Sequence, residues 1–150
     1  MAETSGCAFC AIVSGAATPG VVAYRDGDTA VFPSLHQRVR NRTHMLVVPA
    51  AHVPNIYEVD RLLGGALLAT VARVARALKR VWQADGISVR QNNEPAGGQD
   101  VFHVHFHVVP RFAHDGFDVG DDRFPFGAIE VSLEERLAQA ALLRAALDSG

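Results

Sequence analysis

The chain has 150 residues, a length typical of one domain (1–150) and sufficient to bury a substantial core. Hydrophobic residues make up 49% and charged residues 20%, as in a soluble globular protein. Fourteen basic and 16 acidic residues give a formal net charge of -2, which argues against a nucleic-acid-binding protein. No apolar run approaches transmembrane length and no signal-peptide pattern is present, so we expect a cytoplasmic protein without a membrane partner.

The two cysteines of the chain lie near its start and have the spacing C-x-x-C, as Cys7 and Cys10. In a reducing compartment this spacing indicates metal or redox chemistry before a structural disulfide. The alternative is a pair of reduced, buried cysteines without a metal. The surrounding segment, Cys7–Ser14, is apolar enough for a short helix that ends at Gly15.

The next stretch predicts two strands, a loop and a third strand. Val21–Arg25 and Thr29–Phe32 are joined by Asp26-Gly27-Asp28, which contains a strong hairpin dipeptide. Pro33–Arg42 has no regular period and predicts a basic loop that is either simply solvated or attracts phosphate. Its arginines are Arg38, Arg40 and Arg42. Thr43–Pro49 is an apolar strand that proline ends.

A long helix is predicted over Arg61–Ala84, with Asp60 as its N-cap. Apolar side chains recur there every three or four residues, which is the spacing of one helix face. This stripe comprises Leu63, Leu67, Thr70, Val71, Val74, Leu78 and Val81, of which Thr70 alone is polar. Gly64 and Gly65 permit close packing against another backbone, such as the same helix of a second copy.

The remaining segments predict a strand at Ile87–Gln91, a flexible loop at Asn92–Asp100 and a Gly- and Asp-rich connection at Arg111–Gly127. The expected anchors of that connection are Phe112, Phe117, Phe124 and Phe126. Ser132 with Glu135 resembles a capping box that opens a final helix. The apolar stripe of this helix comprises Leu133, Leu137, Ala140, Leu143 and Leu147.

Three histidines alternate with apolar residues in the run Phe102–Val109. This period of two predicts a strand that turns one face to the core and carries the three imidazoles on the other, about 6.6 Å apart. The core-facing residues would be Phe102, Val104, Phe106 and Val108, and the others are His103, His105 and His107. The alternative is the polar outer face of an edge strand.

A row of imidazoles beside a glycine-containing loop suits metal binding or nucleophilic attack. Imidazole is largely unprotonated at neutral pH and can attack phosphorus to give a labile phosphoramidate. Flanking histidines can stabilise the charge that develops on the phosphate oxygens. Backbone N–H groups around Gly97 and Gly98 can add to this stabilisation.

The run from His103 to Val109 resembles the His-x-His-x-His signature of the histidine triad (HIT) nucleotide hydrolases and transferases. The similarity extends to Cys7-Ala8-Phe9-Cys10, to Thr43–Pro49, to the long helix, and to Asn92 and Gly97-Gly98-Gln99. This resemblance implies an α+β fold with an antiparallel sheet of about five strands, one long helix, a C-terminal helix within an extension at about residues 111–150, and a homodimer.

By the same resemblance, His105 is the nucleophile on the α-phosphate of an adenosine- or guanosine-type nucleotide. Its second ring nitrogen would be held by the carbonyl of His103, and the product would be a nucleoside monophosphate. Further residues would surround the phosphate: His107 on its oxygens, His44 supporting the triad, Gln99 near the bridging atom, Asn92 facing the phosphate, and Gly98 in the adjoining loop.

Two positions depart from the family pattern. Asp100 stands where the family has a small hydroxyl residue that helps to protonate the leaving group, and a carboxyl can do this only with a raised pKa. Ser34 lies near the place of an acidic ribose contact, so the nucleoside preference stays open. Asp100 therefore motivates a second hypothesis, a nucleotide-sensing module with little turnover.

The resemblance to bacterial-type relatives also implies a tetrahedral zinc site. Two of its ligands would be the thiolates of Cys7 and Cys10, and the other two would be the imidazoles of His52 and His103. A third hypothesis, a scaffold whose triad histidines bind only metal, requires three rings on a flat strand face to converge on one ion. The two remaining histidines, His36 and His114, are expected at the surface.

Overall fold

The protein is described here as a computed structural model that covers residues 5–117 and 128–149. Over these residues the strands are β1 (Tyr24–Arg25), β2 (Thr29–Pro33), β3 (His36–Arg38), β4 (Met45–Pro49), β5 (Gly86–Gln91), β6 (Phe106–Arg111) and β7 (Ala128–Glu130). The helices are α1 (Ala8–Ser14), α2 (Arg61–Val81) and α3 (Leu133–Asp148), with 3-10 turns at Ile56–Glu58 and Pro95–Gly97. Five strands form one antiparallel sheet in the order β1-β2-β4-β6-β5. The predicted α+β class with a five-stranded antiparallel sheet is confirmed.

Helix α2 forms as its apolar period predicts and covers one face of the sheet. The Asp60 side chain accepts a hydrogen bond from the Leu63 backbone N–H at 2.8 Å, which caps its first turn. The helix ends at Val81 rather than Ala84, because Gln83 takes a left-handed conformation with φ of 52°. The core between α2, α3 and the sheet includes Val31, Met45, Val47, Leu67, Val71, Val74, Leu78, Val108, Leu143 and Leu147.

Helix α3 packs on α2 and on β2, and its Ser132 cap accepts a hydrogen bond from the Glu135 N–H at 3.2 Å. The predicted stripe is correct over the last turns and wrong at the start, where Leu133 is 43% exposed. Arg136 and Gln139 are buried instead. Gln139 belongs inside because its amide exchanges hydrogen bonds of 2.8 and 3.1 Å with the buried amide of Gln37.

The segment Pro33–Arg42, predicted as a loop without regular structure, contains the strand β3, so the prediction is wrong for the middle of this segment. β3 pairs with β7 in a separate two-stranded sheet, with His36 opposite Glu130. Three residues are too few to show a period, and the partner strand lies about ninety residues away along the chain. The Gln37 amide also bonds Ser34 O and Thr43 N, which ties this segment to the ends of β2 and β4.

The histidine run is a strand only in its second half, since β6 begins at Phe106. The Val104 N–H donates to Val53 O at 2.7 Å, so the preceding residues turn toward the segment after β4 instead of pairing with β5. Phe102 is consequently 52% exposed, which corrects the prediction that it faces the core. β6 lies between β4 and β5, and so the edge-strand alternative is wrong.

Of the predicted aromatic anchors, Phe117 lies between two guanidinium groups, 4.1 Å from Arg38 and 4.0 Å from Arg111. Arg111 also forms a bidentate ion pair with Asp115. Phe124 and Phe126 lie outside the described residues. None of the helices in the described part of the chain has the length and hydropathy needed to cross a bilayer.

Candidate active site and metal centre

The side chain of His105 is fixed in one orientation by the backbone two residues before it. Its Nδ1–H donates to the carbonyl of His103 at 2.8 Å, which leaves the Nε2 lone pair free to attack. The residue is only 2% exposed, yet it lines a cavity. Burial lowers the pKa of His105, and its imidazole is therefore neutral near pH 7.

His107 is the second residue of β6, and its ring contacts a fourth histidine, His44, which directly precedes β4. Its Nδ1 lies 2.9 Å from Nε2 of His44, and its ring centroid lies 5.0 Å from that of His105. Burial lowers the pKa of His44 to about 3 and that of His107 still further. Both rings are neutral, so one nitrogen of the 2.9 Å contact donates and the other accepts.

His103 points away from the other two members of the triad. Its Nε2 lies 2.9 Å from Pro49 O, and its Nδ1 lies 3.6 Å from Sγ of Cys7 and 3.5 Å from Sγ of Cys10. The prediction that the three imidazoles share one face is therefore wrong for His103. The reason is the irregular backbone before β6, which does not preserve the alternation of a strand.

A cavity of about 360 Å³ opens beside His105 and His107, within the size range of small-molecule sites. It lies between α1, the end of β2 and the start of α3, and its wall is mostly apolar. The polar side chains that line it are Thr18, Ser34, His36, Asp100, His105, His107 and Arg136, and the apolar ones include Phe9, Ile12, Phe32, Leu35, Leu46 and Val101.

Two of the predicted substrate-binding residues lie at this cavity. Ser34 donates its hydroxyl hydrogen to His36 O at 2.9 Å and keeps its oxygen lone pairs available. An Asp100 carboxylate oxygen lies 3.8 Å from Nε2 of His105, on a side chain that is 69% exposed. The Asp100 carboxylate therefore lies directly in front of the attacking nitrogen.

The other predicted residues build the glycine loop rather than the cavity wall. Gln99 is 4% exposed, and its amide donates to Pro54 O and Val101 O and accepts from the Glu94 N–H. The structure thus places Gln99 beneath the loop, and its expected place beside the bridging atom of a substrate stays a prediction. Asn92 donates to Gly97 O at 2.7 Å, and Gly98 has a φ of 89° that favours glycine. These residues fix the loop that leads to Asp100.

Four potential metal ligands from three parts of the chain converge beside His103. The ligand atoms of Cys7, Cys10, His52 and His103 all lie within 4.8 Å of one another. The distances of 3.3 to 3.6 Å between sulfur and Nδ1 match the roughly 3.5 Å expected for thiolate and imidazole on one tetrahedral zinc. Without a cation, burial and the Cys7 thiol raise the pKa of Cys10 to about 11, which a bound metal would reverse.

Local structure prepares these ligands for a metal. Cys7 is the N-cap of α1, and its sulfur accepts a hydrogen bond from the Cys10 N–H at 3.5 Å. The donation from Nε2–H of His103 to Pro49 O leaves its Nδ1 unprotonated for a metal bond. His103 therefore belongs to the metal centre through its ring and holds His105 through its carbonyl.

Sequence reasoning missed two residues that line the cavity, His36 and Arg136. His36 is half-buried on β3 rather than at the surface, whereas His114 is exposed as expected. Arg136 precedes Ala140 of the predicted stripe by four residues, so the helical period places it on the buried face. The helical position of Arg136 therefore indicated burial, but its positive charge favoured an assignment to the surface.

Comparisons with known proteins agree with the fold and the site. The HIT domain family model matches residues 16–114. The Protein hit of Bacillus subtilis (strain 168) is 32% identical over 142 residues, which cover 89% of this chain and 96% of that protein. An adenylylsulfatase of Arabidopsis thaliana is 28% identical over 109 residues, which cover 73% of this chain and 54% of the plant protein.

A crystal structure of a Zn-bound histidine triad family protein from Mycobacterium smegmatis has 33% sequence identity and a TM-score of 0.75, and covers 98% of this chain and 96% of its own. Because that protein binds zinc and four suitable ligands converge here, the predicted structural zinc site is confirmed, with Cys7, Cys10, His52 and His103 as its ligands. The extent of these similarities shows that the chain belongs to the histidine triad (HIT) family.

Proposed function

We propose that the protein is a nucleotide hydrolase or nucleotidyl transferase that acts at the α-phosphate through a covalent intermediate on His105. The observation that carries this proposal is the 2.8 Å bond from Nδ1 of His105 to His103 O, which directs an unprotonated Nε2 into a largely apolar cavity. The relative named as an adenylylsulfatase supports the proposal, because that name indicates an enzyme that acts on an adenylyl sulfate.

In the first step, Nε2 of His105 attacks the α-phosphorus and a nitrogen–phosphorus bond forms. The bond to the leaving group breaks, and that group departs with the bonding electron pair and takes up a proton from solvent. Water then attacks the same phosphorus and releases a proton to solvent, the nitrogen–phosphorus bond breaks with its electron pair returning to Nε2, and a nucleoside monophosphate leaves with neutral His105 restored. The leaving group would be an amine, a sulfate, or the nucleoside polyphosphate half of a dinucleotide.

His107 and His44 stabilise the charge on the phosphate oxygens. His107 can donate from Nε2–H to a phosphate oxygen when its Nδ1 accepts the 2.9 Å bond from Nε2–H of His44. Burial holds both rings neutral, so the donor is a dipole fixed before the substrate arrives. Zinc, when bound, holds His103 in place and takes no part in the transfer.

Asp100 favours a second candidate function, a nucleotide-sensing module with little turnover. Its carboxylate lies 3.8 Å from the attacking nitrogen and repels an incoming phosphate in its ionised form. Replacing Asp100 with serine is therefore expected to raise kcat/KM for a nucleoside phosphoramidate by about tenfold or more. Steady-state release of nucleoside monophosphate measures this change.

The matched control is Asp148→Ser, which removes an exposed carboxylate at the far end of α3 and should leave the rate unchanged. A panel of phosphoramidates and dinucleoside polyphosphates identifies the leaving group. If wild type and Asp100→Ser both bind nucleotide but release no product from any of them, the sensing function is correct and the enzyme is not.

We further propose a homodimer that forms through α2 and β5. β5 is the last strand of its sheet and exposes Val89 at 49%, and α2 exposes Leu62 at 85% and Leu68 at 59%. Sedimentation should give twice the 16.1 kDa mass of one chain, and Leu68→Asp should shift it to one chain. Leu142→Asp, at a similarly exposed leucine on α3, should remain dimeric. A wild-type mass of a single chain would contradict the proposal.

We also propose that the protein is cytosolic. Cys7 and Cys10 form no disulfide, and a reducing compartment would keep both thiols available as zinc ligands.

A further inference from the structure

The most unusual group in the cavity wall is the guanidinium of Arg136. Arg136 is only 7% exposed, lies in the first turns of α3 and lines the same cavity as His105 and His107. Its Nε is buried without a hydrogen-bond partner among the described residues. Burial lowers the pKa of Arg136, because the positive charge has lost hydration.

Among the described residues, no carboxylate forms an ion pair with this guanidinium, and the Asp100 carboxylate of the same cavity lies beside His105 instead. The carboxylate whose charge acts on Arg136 is that of Glu130, which is exposed on β7 and therefore screened by solvent. Burying an ion without a partner is costly, so such a residue is typical of sites where a ligand supplies the opposite charge.

The position of Arg136 is also fixed in advance of any ligand. One helical turn after it, Gln139 exchanges two hydrogen bonds with Gln37 of β3. These bonds hold the start of α3 against the strand that also carries His36. A guanidinium on a braced helix is a preorganised anion-binding group rather than a mobile surface charge.

The cavity therefore offers two places for anionic groups, one at His105 and His107 and the other at Arg136. In the proposed function the α-phosphate occupies the first place and the nucleoside fills the apolar cavity. The group that reaches Arg136 is then carried by the nucleoside, and a neutral base would leave the buried charge unbalanced.

Ser34 indicates which part of the nucleoside carries that group. In dinucleotide-binding proteins a carboxylate binds free ribose hydroxyls, whereas an arginine accommodates a ribose phosphate. Here the small, uncharged Ser34 lines the cavity together with Arg136, so no carboxylate at that position repels a second phosphate.

We propose that Arg136 binds a phosphate group on the ribose of the substrate, attached at the 2′ or the 3′ hydroxyl. The inference rests on the proposed function and names its substrate class: nucleotides that carry a ribose phosphate in addition to the reactive α-phosphate. Arg136 acts in recognition of the substrate and does not take part in the chemical step.

Calorimetric titration of the zinc-loaded protein tests this inference with three nucleotides that differ only in the added group. They are adenosine 5′-monophosphate, adenosine 2′,5′-bisphosphate and adenosine 3′,5′-bisphosphate. One bisphosphate should bind at least about tenfold more tightly than the monophosphate, as expected for charge-assisted hydrogen bonds. Comparison of the two bisphosphates shows whether the phosphate is attached at the 2′ or the 3′ hydroxyl. Equal affinity for all three nucleotides would overturn the inference.

Variants show whether the preference comes from Arg136. Arg136→Gln should bring the affinity ratio close to one, Arg136→Lys should keep part of it, and the exposed control Arg61→Gln should keep all of it. The ligand-free melting temperature of Arg136→Gln should be at least that of wild type, because an unbalanced buried charge is removed. A tighter bisphosphate complex that persists in Arg136→Gln would refute the assignment.

The same titrations separate two kinds of failure. If neither the monophosphate nor either bisphosphate binds, the proposed function fails and this inference fails with it. If a monophosphate binds well and the added phosphate brings no gain, only the role of Arg136 is wrong.

Discussion

Replacement of His105 with alanine is expected to lower the single-turnover rate of nucleotide hydrolysis by about 10⁴-fold or more, the range seen when a covalent nucleophile is removed. The loss follows because the Nε2 lone pair of His105 is the proposed nucleophile, and the 2.8 Å bond from Nδ1 to His103 O fixes the tautomer that supplies it. Rapid mixing with excess enzyme measures the chemical step directly.

Two further variants make this result interpretable. His105→Asn can retain a hydrogen bond to the carbonyl of His103 but has no nucleophilic nitrogen, so it should be as inactive as the alanine variant. His114→Asn changes an exposed histidine whose φ of 63° suits asparagine, and it should keep wild-type activity. Turnover by His105→Asn within tenfold of wild type would exclude the covalent route.

Loss of zinc is expected to destabilise the fold and the active site together. Cys10→Ser, or treatment of wild type with a strong chelator, should lower Tm by about 10 °C or more, since metal-binding free energy contributes directly to folding. Turnover should also fall, because His103 binds zinc with Nδ1 and positions His105 with its carbonyl. Differential scanning calorimetry and metal analysis of the same samples measure both effects.

Re-addition of zinc supplies the control. It should restore Tm and turnover in chelated wild type but not in Cys10→Ser, which lacks a ligand. Wild type purified without chelator that carries less than about 0.2 zinc per chain, or whose Tm is unaffected by the chelator, would contradict the metal site.

The parts of the fold that sequence predicted are those with a repeated local signal. Helix α2 follows from seven positions at helical spacing, six of them apolar, after the Asp60 cap, and α3 follows from the Ser132 cap. The pairing of β3 with β7 was missed because it rests on three residues and on contacts across a long stretch of chain. Local patterns carry no information about such a pairing.

The candidate site was predictable where a motif fixes the backbone and not where packing decides. The two cysteines converge with His52, as the resemblance suggested, and both His105 and Asp100 line the cavity. The ring of His103, in contrast, turns toward the metal centre, because Val104 bonds Val53 O. The amide of Gln99 donates to Pro54 O and Val101 O, contacts that join separate segments of the chain and that no local motif encodes.

Arg136 was hidden for a different reason. A charged side chain on an amphipathic helix is usually assigned to the solvent face, and the period of α3 carried the only indication that it is buried. Gln37 and Gln139, which hold the start of α3 in place, form their hydrogen bonds only when β3 and α3 are in contact, and the sequence did not predict that contact.

The most direct test of the covalent mechanism is to trap the intermediate. A substrate labelled at the α-phosphate is mixed with the enzyme and quenched in alkali within milliseconds, because histidine phosphoramidates survive alkali better than acid. Label should appear on a peptide that contains His105, at a level that rises and then decays at the rate of nucleoside monophosphate release. Product that forms at the wild-type rate without any labelled protein would contradict nucleophilic attack by His105.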